Sequence, residues 1–357
     1  MIKNLDLSRV PQDYLAEQAI LHPTMRPRDM IKLCFQAAYG AEHLMFDQAA
    51  SELLFYNEFS SVSGGAARLY EQISPDFCRV NLVAWKERGL PSEWLLRMFV
   101  SSAPTTASTD SSFRSLLRQA DMLCAAGSLP FSQDAWAHEL NAYWLAGGGA
   151  IRHSEHYRAH EQPTYRLVCT RFIRLFALLE RLATCSLNDS ARVVALDGRA
   201  ASGKTTMADQ LSLVLGAGIV HMDDFFLPEP LRSENRLAEP GGNVYYERFA
   251  QEVLPEVSQT TAFSYRRFDC SKMALDGIQE VRASQWRIVE GAYSCHSYFG
   301  NYADIKVFCD VETQEQMRRI ENRNGTEKAE IFASCWIPLE ERYFDQFGIS
   351  EKADIIL

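Results

Sequence analysis

The chain has 357 residues, of which 47% are hydrophobic and 23% charged, and its formal net charge is −10. These proportions are typical of a folded globular protein and exclude a disordered, collagen-like or low-complexity chain. The acidic excess also argues against a general nucleic-acid or anionic-membrane binder, because such proteins need a basic face. The length predicts two domains.

The two halves of the chain differ in charge. Residues 1–190 carry 18 basic and 20 acidic side chains, whereas residues 191–357 carry 18 and 26. The nine cysteines are scattered, and no two of them have the C-x-x-C spacing of a zinc ribbon. We therefore expect free thiols in a reducing compartment. Because no segment has the apolar length of a signal peptide or a membrane span, we expect a soluble cytoplasmic protein.

The first half of the chain has helical periodicity. Apolar side chains recur at the spacing of one helix face from Asp29 to Phe46. We therefore expect an all-α accessory domain over residues 1–187, whose residues carry no recognisable chemistry. The break in pattern at 184–190 predicts the boundary, with a second domain over residues 188–357. The further predicted helices are 49–59, 77–87, 94–100, 113–126, 133–146 and 164–183.

The densest polar cluster of this half contains His153, His156 and His160. At positions i, i+3 and i+7 these side chains would share one helix face. A metal site is one interpretation. A helix start capped by Ser154 is the favoured one, because three turns of one helix seldom converge on one ion. Nearer the amino terminus, Gly40–His43 interrupts an apolar helix, which indicates either a site or a kink.

From Arg192 onwards, short apolar runs alternate with helical patterns. Such runs are typical of buried parallel strands, and their alternation with helices predicts a parallel sheet covered on both faces. We therefore predict an α/β fold, with ligands bound beyond the carboxyl ends of the strands. The predicted strands are 192–197, 218–222, 286–290, 305–310 and 354–357, and the predicted helices are 204–215, 246–256, 313–322 and 339–347.

The segment Gly198–Thr205 reads Gly-Arg-Ala-Ala-Ser-Gly-Lys-Thr, a full match to the phosphate-binding pattern G-x-x-x-x-G-K-[ST]. Its glycines let backbone N–H groups turn inward around phosphate oxygens, and the following helix adds its positive end. Lys204 is predicted to bridge the β- and γ-phosphates, and the Thr205 hydroxyl to bind Mg²⁺. The alternative is a chance glycine-rich turn. The residues predicted to bind the nucleotide are Gly198, Ala201, Ser202, Gly203, Lys204, Thr205 and Thr206.

Acidic side chains follow the next two predicted strands. Asp223 and Asp224 come directly after the second strand, where a carboxylate can accept the proton of an acceptor hydroxyl as the γ-phosphoryl group arrives. One of the two is alternatively a cap for the segment that follows. Glu290 ends the third strand, and an acidic residue there is expected to contact the magnesium ion.

Farther on, Arg319 and Arg323 are one turn apart on one helix face. Such a face can close over a triphosphate and neutralise charge that develops in the transition state. The alternative is a solvated helix in which Glu315 and Glu321 pair with the arginines. The sequence favours neither interpretation.

Over residues 191–357 these motifs resemble the uridine kinase and phosphoribulokinase group of P-loop kinases. The resemblance implies a P-loop NTPase-type sheet and ATP- and Mg²⁺-dependent phosphorylation of a small-molecule hydroxyl. It also implies that Asp223 is the catalytic base, that Lys204 and Thr205 hold phosphate and metal, and that Glu290 lies near the metal. The matching segments are Gly198–Thr205, Asp223–Phe226, Val289–Gly291 and Arg318–Arg323.

The acceptor side departs from that group. The aspartate that holds the sugar in uridine kinases is replaced by Asn243, Tyr245 or Glu247, and the base-binding Tyr-Asp-Phe by Tyr265-Arg266-Arg267-Phe268. Arginines there suit an anionic or carbonyl-rich acceptor, although neighbours on a strand face opposite ways and at most one points inward. The residues predicted to contact the acceptor are Asp224, Tyr245, Glu247, Tyr265 and Arg267.

The sequence therefore predicts a phosphotransferase that moves the γ-phosphoryl group of ATP to a hydroxyl of a uridine-like nucleoside or related metabolite. No nucleic-acid or membrane partner is expected, and a homo-oligomer is compatible with the sequence. One alternative is a nucleotide-dependent switch that regulates a partner through the helical half. Another is a kinase of a macromolecule such as RNA, which the acidity of residues 191–357 disfavours.

Overall fold

The computed structural model describes residues 11–41, 48–65, 68–103, 110–269 and 272–357. The chain divides into two compact units, Met1–Glu180 and Arg181–Leu357. The division falls inside a helix, shortly before the predicted linker at 184–190. Part of the interruption predicted at 40–43 lies outside the described residues. None of the described helices combines the length and apolarity that a membrane crossing requires.

The amino-terminal unit is built mainly of helices around buried apolar faces. Helix α2 buries Met30, Leu33, Cys34, Ala37 and Ala38, the face that the sequence spacing predicts. The strands of this unit form one antiparallel sheet in the order β1–β2–β3: Tyr70–Gln72, Phe77–Asn81 and Tyr165–Cys169. The helices up to the second unit are α1 Pro11–Leu21, α2 Pro27–Tyr39, α3 Gln48–Ser61, α4 Leu82–Glu87, α5 Ser92–Ser102, α6 Asp110–Ala125, α7 Gln133–Leu145, α8 Glu155–Glu161 and α9 Phe176–Ala183.

This sheet corrects the prediction of an all-α amino-terminal domain. The helix predicted at 77–87 is strand β2 followed by the short helix α4, and the helix predicted at 164–183 is β3, a 3₁₀ segment and α9. Strand β2 is the middle strand, and Phe77 pairs with Cys169 across the sheet. Because β2 and β3 are far apart in the chain, the hydrogen bonds that make them strands leave no trace in local periodicity.

The carboxyl-terminal unit contains the predicted parallel sheet. Its strand order is β10–β9–β4–β8–β5, and every neighbouring pair is parallel. The P-loop NTPase-type α/β fold is thereby confirmed, and all five predicted strands are present. The strands of the sheet are β4 Arg192–Gly198, β5 Gly218–His221, β8 Trp286–Glu290, β9 Ile305–Cys309 and β10 Ile355–Ile356, and a separate hairpin is formed by β6 Phe263–Asp269 and β7 Ala274–Val281.

Helices lie between and after these strands along the chain and surround the sheet. They are α10 Lys204–Leu215, α11 Glu234–Ala238, α12 Tyr246–Glu252, α13 Leu254–Val257, α14 Thr313–Asn324, α15 Thr326–Ile331 and α16 Ile337–Phe347. A π-helical turn at Phe332–Trp336 joins the last two. The predicted helix at 246–256 is divided into α12 and α13, with Pro255 near the start of the second part.

Strand β4 is the topological switch point of the sheet. The chain places β5 and β8 on one side of β4, and β9 and β10 on the other. Ligands bind at the carboxyl end of such a switch point. Gly198 ends β4 with φ +130°, and a side chain there would collide with the backbone of Cys309 at the end of β9. The phosphate-binding pattern therefore begins where the fold favours a ligand site.

Candidate active site

The loop between β4 and α10 is folded around its own lysine. The Nζ atom of Lys204 donates to the carbonyl oxygens of Gly198 at 2.7 Å and Arg199 at 2.8 Å. Ala201 and Gly203 have left-handed backbones, with φ +56° and +94°. Left-handed residues in a loop turn successive N–H groups toward one side, which forms an anion-binding concavity. The loop therefore fits a polyphosphate.

The other residues predicted in this loop differ in exposure. Ser202 is buried, and its hydroxyl finds no hydrogen-bond partner among the described residues. Thr206 is exposed on α10. Of the predicted nucleotide-binding set, Ala201, Gly203, Lys204 and Thr205 line one cavity, described below.

Thr205 and Glu290 are in direct contact. The Thr205 hydroxyl donates to Oε2 of Glu290 at 3.1 Å, and Oε1 of Glu290 lies 2.7 Å from Nδ1 of His221. This hydrogen bond to Glu290 raises the pKa of His221. A hydroxyl beside a carboxylate offers the oxygen ligands that Mg²⁺ prefers, with phosphate oxygens completing the shell. The donor set therefore fits magnesium. Sequence reasoning missed His221, which has no motif of its own.

Asp223 faces the same space, as the sequence predicts for a base. The Asp223 side chain is exposed to the cavity, and the surrounding protein limits its contact with water. This desolvation, together with the negative charge of Glu290, raises the pKa of Asp223. The short helix Met222–Phe225 has no side-chain cap, so neither aspartate plays that alternative role. A carboxylate with a raised pKa is a stronger base than an ordinary aspartate.

One cavity of about 380 Å³ joins these groups. This volume is within the range of small-molecule pockets, about 300–1,000 Å³. It brings the phosphate-binding loop, the Thr205–Glu290 pair and Asp223 to a common space. Its polar lining includes Lys204, Thr205, Asp223, Arg232, Asn243, Glu290 and Arg323.

The two predicted lid arginines lie in different surroundings. Arg323 lines the cavity. Arg319 instead pairs with Glu315 at 2.7 Å and donates to the carbonyl of Ala201 at 3.2 Å. Arg318 also pairs with Glu315, which holds the pKa of that carboxyl at about 2. The solvated-helix alternative therefore describes Arg318 and Arg319, whereas Arg323 is placed to meet a ligand.

A carboxylate that sequence reasoning missed lies against the loop. Oε2 of Glu340, on α16, accepts a hydrogen bond from the backbone N–H of Ala200 at 2.9 Å. Burial raises the pKa of Glu340 to about 7. The π-helical turn before α16 brings Phe332 and Trp336 to the cavity wall. No sequence spacing links Glu340 to the loop, because 140 residues separate the two partners.

The five side chains predicted to contact the acceptor do not line the cavity. The Tyr265 hydroxyl donates to Asp224 at 2.9 Å, and both are buried. Glu247 forms two hydrogen bonds with Arg236, at 2.7 and 2.9 Å. Arg267 is exposed and donates to a backbone carbonyl, and Tyr245 precedes α12. Of the three residues left open for the sugar position, Asn243 lines the cavity.

Three residues that the sequence did not single out also line the cavity: Arg232, Met273 and Tyr293. Tyr293 has a left-handed backbone with φ +73°. A non-glycine residue in that region costs free energy and is typical of functional sites. No motif identifies these positions, since each depends on how the loops fold over the sheet.

The histidine cluster of the amino-terminal unit does not converge on one point. Nδ1 of His153 lies 3.0 Å from a carboxylate oxygen of Asp29. Ser154 caps α8, as predicted. The rings of His156 and His160 pack against each other, 4.2 Å apart. Throughout the described part of the chain, no group of three or more His, Cys, Asp or Glu side chains is arranged to hold a metal ion by itself.

The chain was compared with known proteins. No protein-family model matches it, and no curated protein does. Among solved structures, a possible uridine kinase from Bacillus stearothermophilus shares 19% identity, with 52% of this chain and 97% of that chain covered and a TM-score of 0.39. A candidate fructose transport system kinase from Silicibacter sp. TM1040 shares 21% identity, with coverages of 53% and 98% and a TM-score of 0.43.

A third solved structure is D-glycerate 3-kinase from Cryptococcus neoformans var. grubii serotype A. It shares 16% identity, with 49% of this chain and 87% of that chain covered and a TM-score of 0.34. These likenesses concern the fold alone, over about half of the chain.

Proposed function

We propose that this protein is an ATP-dependent phosphotransferase whose acceptor is a hydroxyl group of a small molecule, a nucleoside or a related metabolite. One observation carries the proposal: the phosphate-binding loop with Lys204, the Thr205–Glu290 pair and Asp223 line a single cavity. A switch or an ATPase needs the first two features only. A carboxylate base facing the same space is what transfer to a hydroxyl requires in addition.

In this proposal each side chain has a defined task. The loop N–H groups and Lys204 bind the β- and γ-phosphates, and Arg323 offsets charge on the transferred group. Thr205 and Glu290 hold a magnesium ion, which neutralises phosphate charge when bound. His221 keeps Glu290 in place through its 2.7 Å contact. Orientation of the two substrates supplies much of the rate enhancement.

Asp223 takes part in the bond changes. The acceptor oxygen attacks the γ-phosphorus and forms a new P–O bond, while the bond between the γ-phosphorus and the β,γ-bridging oxygen breaks. The hydroxyl proton moves to a carboxylate oxygen of Asp223. The products are a phosphomonoester and ADP. The raised pKa of Asp223 makes it a better proton acceptor for this step.

The test is ADP production by the full chain with and without a panel of nucleosides, sugars, hydroxy acids and vitamins. We expect at least one acceptor to raise the rate well above the basal hydrolysis of ATP. Lys204→Ala should abolish the stimulation, whereas Lys352→Ala, which changes an exposed lysine outside the cavity, should not. Slow ATP turnover that no acceptor stimulates would reject the kinase and favour the nucleotide-dependent switch.

A further inference from the structure

Arg232 is held through its Nε atom, and its two terminal nitrogens are not engaged by a carboxylate of the described residues. Its Nε atom donates to the carbonyl oxygen of Leu227 at 2.7 Å, and its side chain lines the cavity. A guanidinium has five N–H donors, and this bond uses one. In the described portion of the chain, no carboxylate pairs with Arg232. The terminal nitrogens are therefore free to meet a ligand.

Several arginines of the same unit are neutralised by carboxylates. Arg192 pairs with Asp304 at 2.8 Å, and Arg199 pairs with Asp310 at 2.8 Å. The bidentate fork of arginine matches a carboxylate or a phosphate, and such pairs are strong when they are partly buried. Because Arg232 lines the cavity, an anion that enters can occupy the place that a carboxylate of the chain takes beside Arg192 and Arg199.

Asn243 is the second polar group with unused hydrogen-bonding capacity at the cavity. It is 5% exposed, and neither Oδ1 nor Nδ2 makes a hydrogen bond of good geometry in the described ranges, although the amide lies beside the Tyr293 hydroxyl. Buried amide groups are hydrogen-bonded in the large majority of cases, so each exception needs an explanation. Because Asn243 lines the cavity, a ligand that enters can supply both a donor and an acceptor.

The backbone holds these two residues beside each other. Leu227 accepts the hydrogen bond from Arg232 through its carbonyl, and its N–H donates to the carbonyl oxygen of Asn243 at 2.9 Å. An antiparallel bridge between Phe226 and Val244 fixes the same register. Arg232 and Asn243 therefore face the cavity from adjoining backbone segments, which also carry Asp223 a few residues upstream.

Arg232 is also separate from the cations that serve the nucleotide. Lys204 belongs to the phosphate-binding loop and Arg323 to α14, whereas Arg232 follows β5 and Asp223 in the chain. The nucleotide therefore has its own cationic groups. A third cation on the segment that carries the base points to a second anion, which belongs to the acceptor.

We propose that the acceptor carries an anionic group, a carboxylate or a phosphate, which binds the Arg232 fork, and that Asn243 hydrogen-bonds a neighbouring hydroxyl or carbonyl. This inference rests on the proposed function only in that the bound anion is taken to be the phosphoryl acceptor. The site itself is a binding site for a small hydroxylated anion. It makes Arg232 a specificity-determining residue and predicts that uncharged polyols and nucleosides are poor ligands.

The test compares neutral and anionic compounds that share a carbon skeleton. One set is glycerol, glycerate and glycerol 3-phosphate, and the other is ribose, ribonate and ribose 5-phosphate. Binding to the full chain is measured by calorimetry with Mg²⁺ and a non-hydrolysable ATP analogue present. We expect a carboxylate or a phosphate member to bind at least about tenfold more tightly than its neutral parent. Which of the two binds identifies the anion.

Two substitutions assign the effect to Arg232. Arg232→Gln should weaken anion binding by about 10- to 100-fold, in line with the loss of a charge-assisted pair, and Arg232→Lys by less. Arg342→Gln is the matched control, because Arg342 also donates to a backbone carbonyl, that of Leu237, but lies outside the cavity. It should leave anion binding unchanged.

The outcomes separate this inference from the proposed function. Anion binding that depends on Arg232, without ADP production, would support the site and reject the kinase. Stimulated ADP production with neutral members bound as tightly as the anions would support the kinase and overturn the site. Equal loss of binding in Arg232→Gln and Arg342→Gln would also overturn it, as would the absence of binding by all four anions.

Discussion

The two sides of the cavity differ in how far the chain satisfies its own polar groups. On the phosphate side, Lys204, Thr205 and Glu290 all have hydrogen-bond partners within the protein. On the acceptor side, no carboxylate of the described residues pairs with Arg232, and the Asn243 amide makes no hydrogen bond of good geometry with them. The side chains assigned to phosphate and metal are therefore positioned by bonds within the protein, whereas Arg232 and Asn243 keep hydrogen-bonding capacity for a ligand.

A buried aspartate near the end of β4 helps to hold the phosphate-binding loop in position. Asp197 accepts hydrogen bonds from the N–H of Gly198 at 2.7 Å, from the N–H of Cys295 at 2.8 Å and from the Tyr343 hydroxyl at 2.7 Å. It thereby ties the phosphate-binding loop to the segment after β8 and to α16. Preorganised groups of this kind cost no reorganisation when a ligand arrives.

The largest expected effect is at the base between the two sides. Asp223→Asn keeps the size of the side chain and removes its ability to accept a proton, so we expect acceptor-dependent kcat to fall by about 10²- to 10⁴-fold. Nucleotide affinity should change little. Asp209→Asn, at an exposed position on α10, is the matched control. Steady-state kinetics decide the point, and a kcat within a few-fold of the original chain would remove Asp223 from the mechanism.

The next effect concerns the carboxyl group against the loop. Glu340 has a pKa of about 7 in the folded chain, against an ordinary 4.5, because it is buried. The folded state therefore binds more protons than the unfolded state between these pH values, and stability falls as the pH rises from about 4.5 to 7. Glu340→Gln should avoid this loss, which amounts to roughly 3 kcal/mol.

Urea unfolding of the original chain and of Glu340→Gln at pH 5 and pH 8 measures this effect. The difference between the two proteins should change in favour of the variant at pH 8, while other titrating groups cancel in the comparison. A difference that is independent of pH would show that Glu340 keeps the same protonation state in the folded and unfolded chain.

A smaller effect is expected at the metal position of the phosphate side. Thr205→Ala removes the hydroxyl that contacts Glu290, and we expect the Mg²⁺ concentration for half-maximal activity to rise by about 10- to 100-fold. Thr205→Ser keeps the hydroxyl and should stay close to the original chain. Titration of activity with Mg²⁺ gives the answer. An unchanged Mg²⁺ requirement in Thr205→Ala would place the metal elsewhere.

The smallest effect concerns the contribution of Asn243 to stability. Because the Asn243 amide makes no hydrogen bond of good geometry in the described ranges, Asn243→Ala should change the free energy of unfolding by less than about 1 kcal/mol. Asn81→Ala is the contrast, because the Asn81 side chain caps α4 by accepting from the N–H of Ala84, and the loss of a cap costs about 1 kcal/mol or more. Clear destabilisation by Asn243→Ala in thermal unfolding would give Asn243 a structural role.

The sequence predicted those parts of the fold whose signal is local. The buried strands of the parallel sheet are short apolar runs, and the Gly198–Thr205 loop has a fixed pattern, so both were predictable. The antiparallel sheet of the amino-terminal unit was not. Strand β2 is a strand because Tyr165–Cys169 pairs with it, and apolar residues in so short a run fit a helix equally well.

The candidate site, like the fold, could be predicted only where its signal is local. Lys204, Asp223 and Glu290 follow strand ends and could be predicted, and the structure places all three on one cavity. Arg232 and Glu340 could not, since each reaches the cavity through loops and helices whose packing leaves no sequence pattern. The residues predicted for the acceptor failed to reach the cavity for a related reason: Tyr265 and Glu247 are taken up by contacts with Asp224 and Arg236.

Transfer of the γ-phosphoryl group to an acceptor hydroxyl can be followed directly. The substrate for this measurement is ATP labelled with ¹⁸O in the γ-phosphoryl group. The full chain and Mg²⁺ are incubated with the neutral and the anionic acceptors, and the products are separated by mass spectrometry. We expect one labelled phosphomonoester for each ADP formed, with about 10²- to 10⁴-fold slower formation of that product by Asp223→Asn. Labelled inorganic phosphate as the sole phosphate product, at a rate independent of every acceptor, would contradict it.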